Sequence, residues 1–241
     1  MKFTNVVVIS LMSIALLNSC SSLFPVIETQ PSTSEVSSES LTPLQTKAKA
    51  LQAQPNLYKT QASEHQVSAQ TLRQFQGALT LKQQAKFSQA TEVLIALSEQ
   101  HPDLSGIWLQ LALVIKEQPK ADIEQRREDM TRYLNNAISV NSLNYLAHNE
   151  LALLLRQQGQ FQQALSHYEL ALKSWPAFAQ AYHNRAILYD LYMGKKSLAL
   201  ADYELYQVLS NDDLRQLKGW IMDLQRQIKS AEQNTQTGAM L

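Results

Sequence analysis

Cysteine is almost missing from this chain: Cys20 stands alone, so no disulfide can close within it and no CxxC pair can hold zinc. Glycine and proline are scarce, at 6 and 7 of 241 residues. No P-loop, Gly-rich phosphate cradle or GxSxG elbow occurs, and the histidines, His65, His101, His148, His167 and His183, form no HExxH pair. An excess of either charge is absent too, since Lys+Arg and Asp+Glu are both 21. That balance argues against a chain held on nucleic acid by bulk electrostatics. The acidic residues are scattered on presumed solvent faces. No metal, cofactor or catalytic residue is expected, and the chain reads as a non-enzyme.

What is present points to helices. Hydrophobic residues make up 45% of the chain, enough for one substantial core or two small ones. Alanine, leucine and glutamine abound, while β-branched residues cluster mainly near the N-terminus. This composition favours an all-α body.

The N-terminus reads MKFTNVVVISLMSIALLNSC, with Lys2 before an apolar run from Val6 to Leu17 that is too short for an ordinary spanning helix. The end, Leu17-Asn18-Ser19-Cys20, resembles the bacterial lipobox, although Asn18 departs from the small residue common there. The resemblance implies a signal peptide over 1–19, a lipid-modified Cys20 with several acyl chains, and, with Ser21 following, sorting to the outer membrane facing the periplasm. Each buried methylene contributes about 0.8 kcal/mol, so several chains anchor durably. From Ser21 to about Thr46 the chain is rich in Ser, Thr, Pro and Glu without a period. It reads as a disordered tether averaging on the order of 30 Å end to end. Lys47 to Gln54 is a candidate short helix, and the whole of 20–62 is assigned to the anchor and its tether.

The densest pattern lies at Tyr145 to Phe178. Leu151, Leu154 and Leu155 recur at helical spacing, Gly159 interrupts, and Phe161, Ala164, Leu165, Tyr168, Ala171 and Leu172 resume the period until Pro176. Two amphipathic helices this short need a neighbour to cover their shared face. Three relatives supply it, giving units at 71–104, 105–144, 145–178 and 179–213 within a body spanning 63–230. The second carries extra residues around Pro119, and the fourth one extra residue assigned to its turn. Small side chains at the eighth position, Ala78, Ala112, Ala152 and Ala186, let paired helices approach closely. Leu214, Leu217, Ile221, Leu224 and Ile228 share one face of a final helix over 214–229, suited to cap the stack, and 231–241 reads as a flexible tail.

A helix-turn-helix unit of about 34 residues with these positions resembles the tetratricopeptide repeat, or TPR. The resemblance implies an all-α solenoid of about four repeats with a capping helix. Arg185 for Leu at the seventh position, Met130 for Ala at the twentieth and Gly77 for Leu in the first unit depart from the pattern. His148 fills a large-residue slot and reads as packed rather than catalytic.

The resemblance further implies that first helices line a groove, with positions 5, 9 and 12 pointing into it. Position 5 gives Phe75, Leu109, Asn149 and His183; position 9 gives Leu79, Leu113, Leu153 and Ile187; position 12 gives Lys82, Lys116, Arg156 and Asp190. An apolar floor with a cationic rim along three units suits an extended or helical peptide with an acidic edge. Two other readings stand beside it: the apolar row is filled in cis by residues 51–67 or by the C-terminal helix, and the basic row is ordinary solvated surface. With apolar residues at position 9, the pattern that clamps a terminal carboxylate is not matched. The expected function is a membrane-anchored adaptor or scaffold that binds envelope proteins. The alternatives are a pilotin-like or assembly lipoprotein of a secretin, pilus, TonB-type or gliding machine and, remotely, an enzyme of cell-wall metabolism.

Overall fold

The computed structural model describes residues 41–62, 67–119, 122–210 and 215–238. Cys20 and the whole signal and lipobox reading lie outside these residues. No strand occurs among them, and the chain is an all-α solenoid. After α1 (Pro43–Gln52) and α2 (Leu57–Ala62) come helical hairpins: α3 (Ala69–Gln83) with α4 (Phe87–Gln100), α5 (Ser105–Glu117) with α6 (Ile123–Val140), and α7 (Tyr145–Gln157) with α8 (Phe161–Ser174). A further hairpin pairs α9 (Ala179–Ile187) with α10 (Lys196–Ser210), and α11 (Arg215–Gly238) closes the chain.

Alanine sets the spacing within each pair. Ala78, Ala112, Ala152 and Ala186 are all at most 1% exposed, so each first helix lies against its partner with no room for a larger side chain. Tight turns need one left-handed residue, and Gly159 (φ 76°) and Gly194 (φ 63°) supply it, while in the first hairpin Ala85 (φ 58°) takes the same conformation. In the first and third hairpins the turn closes with matching bonds, Lys86 N–H to Leu81 O and Gln160 N–H to Leu155 O, both 2.9 Å. The second hairpin instead starts α6 with Asp122, whose carboxylate accepts from the Glu124 and Gln125 amides.

One interaction recurs at the fourth position of three units. Trp108 Nε1 donates to Pro102 O at 3.0 Å, Tyr182 Oη to Pro176 O at 3.1 Å, and the His148 Nε2 to Ser142 O contact is 3.0 Å. Each bond ties a first helix to the carbonyl six residues earlier, in the loop joining it to the previous unit. His148 is therefore a packed structural residue.

The structure corrects the sequence reading in several places. Within 43–62, assigned to the tether with only 47–54 as a candidate helix, residues 43–52 and 57–62 are helical, and both helices pack on the body. Thr42 and Gln45 form a reciprocal capping box with Pro43 at the first helical position, which starts α1 four residues before Lys47. Ala48 is buried, Leu44 and Leu51 join the core shared by α9, α10 and α11, and Tyr58 meets Tyr145 edge-on at 6.0 Å. The extra residue of the fourth unit lies in its helix, where Leu188–Tyr192 form a π-turn and Met193 N–H bonds to Leu188 O. Helix α11 runs to Gly238, nine residues past Lys229, since no glycine or proline stands between them; its side chains at 231–234 are exposed.

Arg185 also finds its explanation. It donates two bonds to Asp202 (2.7 and 2.9 Å) in a pair whose side chains are only 17% and 7% exposed. Tyr182 and Tyr189 present their rings to the guanidinium at 5.5 and 5.7 Å. Burial works against the charge, but the bonds and charge of Asp202 outweigh it and hold the Arg185 pKa above its ordinary value.

Candidate functional site

The first helices α3, α5, α7 and α9 stand side by side, linked by a ladder of polar contacts. Lys82 pairs with Glu117 at 2.8 Å, Lys116 pairs with Glu150 at 2.7 Å, and Arg156 donates to the Asn184 carbonyl at 3.2 Å. Asn184 Nδ2 also donates to Asn149 Oδ1 at 3.0 Å. Each rung reaches from one unit to the next. The basic residues expected as a free rim are thus engaged within the protein, since acceptors one unit onward stand within reach of each long side chain. Arg156 also lies over Tyr192, whose ring stacks against Phe161 at 4.9 Å.

Position 5 departs from the expected open row. Leu109 is buried in the core between the second and third units, and Asn149 is buried by its bond to Asn184. His183 stacks between Tyr206 of α10 and Trp220 of α11, with ring centroids at 4.6 and 6.2 Å. The C-terminal helix therefore covers this row at the fourth unit. Phe75 is half-buried and lines a cleft described below. Asp190, at position 12, lies within the π-turn, where its charge adds to burial in raising the Tyr203 pKa.

Position 9 retains partial access: Leu79, Leu113, Leu153 and Ile187 are all half-buried. An apolar strip alongside the ladder can accept side chains of a bound segment, while the paired charges fix the spacing of the helices beneath it.

A second feature was not anticipated. Helix α2 roofs an apolar cleft of about 350 Å³ against α3 and the start of α5, lined by Tyr58, Val67, Leu72, Phe75, Ile107 and Val140 among others. Its roof belongs to the segment assigned to the tether, so spacing alone gave no reason to join it to the repeats. The signal available was the capping box at Thr42 and the Leu57-Tyr58 pair that follows Pro55.

Chemistry that would support catalysis is thin. Among the described residues no group of three or more His, Cys, Asp or Glu side chains could hold a metal. The most perturbed histidines form a pair in the third unit. His148 Nδ1 lies 2.9 Å from His167 Nδ1. Since the Ser142 carbonyl must accept from His148 Nε2–H, neutral His148 offers Nδ1 as the acceptor and His167 donates. Burial lowers both pKa values, that of His167 to about 4 with the neighbouring imidazole adding to the shift.

Comparison with known proteins places the fold. No protein-family model and no curated protein matches the chain. Solved structures do. PilF of Pseudomonas aeruginosa aligns with a TM-score of 0.56 at 18% identity, covering 66% of this chain and 69% of that one. A tetratricopeptide repeat protein of Parabacteroides merdae gives 0.53 at 15% identity over 72% and 68%. TTC0263, a thermophilic TPR protein of Thermus thermophilus, gives 0.52 at 22% identity over 63% and 79%. The fold is that of TPR proteins.

Proposed function

We propose that this protein is a non-catalytic adaptor of the bacterial envelope, lipid-anchored through Cys20 in the outer membrane and facing the periplasm. It binds a segment of a partner protein along its first helices. The observation that carries this reading is the strip of Leu79, Leu113, Leu153 and Ile187, half-buried and crossing all four hairpins beside a ladder that fixes their spacing. Recognition rests on apolar contact. Lys82, Lys116 and Arg156 already have partners and serve the spacing of the helices, so the acidic edge first expected of the ligand is not required. No described helix is long and apolar enough to cross a membrane; the proposed anchor is argued from the lipobox resemblance at Cys20.

Photo-crosslinking in cells from Leu113 and Leu153 tests the binding face. Discrete adducts from both positions, absent from the exposed Leu170 on α8, support it; adducts from Leu170 alone would refute it. Cys20→Ser tests the anchor separately. Release from the membrane fraction is expected, and retention equal to wild type would count against lipidation.

A further inference from the structure

We propose that the cleft beneath α2 is an anchor pocket for one large apolar side chain of a partner peptide, flanked in that peptide by lysine or arginine. This inference rests on the adaptor reading, whose inner face meets the cleft at Phe75.

The cleft's interior is largely apolar because Thr71, Ser105 and the Asn141 side-chain carbonyl oxygen are already engaged, which leaves Gln61 as a polar side chain at its edge. Thr71 Oγ1 contacts Ser68 Oγ at 2.8 Å and His101 Nε2 at 3.0 Å. Ser105 Oγ donates to Ala137 O at 2.7 Å and accepts from Asn144 Nδ2 at 2.7 Å. Asn141 Oδ1 accepts the Leu143 amide at 2.9 Å. What these leave for an occupant is the hydrocarbon of Phe75, Leu104, Ile107 and Val140. Leu72 and Val67, 49% and 42% exposed, continue that surface outward at the rim.

Size and charge narrow the occupant. A volume of about 350 Å³ lies at the small end of ligand pockets, which run from roughly 300 to 1,000 Å³. It admits one large side chain and excludes a packed helix. Asp103 is the one charged residue among the described lining residues, and it has no ion-pair partner among them. A cation beside the apolar anchor complements it, whereas an acidic neighbour is repelled. Asp103 also disfavours a fatty acid, whose own carboxylate would approach it.

The test is a methyl NMR titration of the full chain carrying Cys20→Ser, which leaves every described residue in place. The probe is a short Gly-Ser peptide with one Phe between two lysines; its twin carries glutamates instead, and lauric acid serves as the competing probe. The lysine peptide is expected to shift the Leu72, Leu104, Ile107 and Val140 signals saturably, leaving Leu217 and Leu224 in place as the folding control. The glutamate twin should bind about threefold more weakly, as a single exposed charge contact allows. Asp103→Lys should invert that preference, and Leu72→Ser should weaken the lysine peptide about threefold through loss of apolar contact. No saturable shift, equal binding of the two peptides, a preference unchanged by Asp103→Lys, or tighter binding of lauric acid at these methyls would each overturn the proposal. Crosslinks from Leu113 and Leu153 report on the inner face by themselves. If they persist while the cleft stays silent, only the anchor pocket fails.

Discussion

The third and fourth hairpins solve the same packing problem with different chemistry. In α7, Leu151 fills the seventh position with hydrocarbon and the helix ends at Gly159 in a regular turn. In α9 the equivalent residue is Arg185, held by Asp202 between two tyrosine rings, and the helix widens into a π-turn before Gly194. Apolar packing asks only for volume, so Leu151 tolerates small shifts. The ion pair asks for two bonds at fixed geometry, so it specifies how α10 sits on α9 but adds little net stability when intact. The hairpin that carries the buried charge also receives α1, whose Leu44 and Leu51 join its core.

The largest effect should come from breaking that pair. Asp202→Ala leaves a buried guanidinium without its partner and should cost about 3–5 kcal/mol in urea unfolding, while Arg185→Leu with Asp202→Leu should recover most of the loss. A small effect of the single change would mean that the fourth hairpin relies on hydrocarbon as the third does. In the third hairpin the comparable probe is Ala152→Leu, which overpacks a site with no exposed surface. It should cost about 1–3 kcal/mol, and an unchanged Tm would contradict the register of α7 on α8.

Acid provides a subtler contrast. His148 and His167 have pKa values below the usual 6.5 in the folded state, that of His167 near 4, so between these values the unfolded chain binds more protons. Their stabilising contribution is complete above about pH 6.5 and is lost as pH falls toward 4. For His167, allowing for its partial exposure, the loss is on the order of 1–2 kcal/mol, and the buried His148 adds to it in the same direction. His167→Phe should flatten this dependence, as followed by urea midpoints from pH 7 to 4; an unchanged slope would remove the pair from the account. The smallest effect belongs to the turns. Ala85 pays for a left-handed conformation that Gly159 takes freely, so Ala85→Gly should stabilise by about 1 kcal/mol and Gly159→Ala should destabilise by a similar amount. Thermal midpoints check both signs.

The all-α repeat architecture was legible because helical periodicity and the buried alanines repeat in every unit. The engagement of the basic row was less visible, since Glu117, Glu150 and Asn184 belong to the next unit and only the fold brings them to Lys82, Lys116 and Arg156. Arg185 looked like a defect until Asp202, 17 residues onward, supplied its partner. One extra residue is equally compatible with a longer turn or a wider helix, and packing chose the π-turn. Helix α1 was legible only in part, as the candidate helix from Lys47 to Gln54, and α2 not at all, because a ten-residue and a six-residue helix carry little periodic signal, and their few anchors, Leu44, Ala48, Leu51 and Tyr58, gain meaning only against the fourth hairpin and the loops. Consequently the only sequence signals for the cleft roofed by α2 were the capping box at Thr42 and the Leu57-Tyr58 pair after Pro55.

The inner face divides into an apolar strip that binds and a polar ladder that spaces the helices. One comparison tests it most directly: crosslinked partner yield in cells for Leu113→Asn with Leu153→Asn, against the charge-swapped rung Lys116→Glu with Glu150→Lys. The first pair should lose the partner with the fold retained, while the swapped rung should keep it. Loss of the partner in the swapped rung, with binding intact after removal of the two leucines, would contradict it.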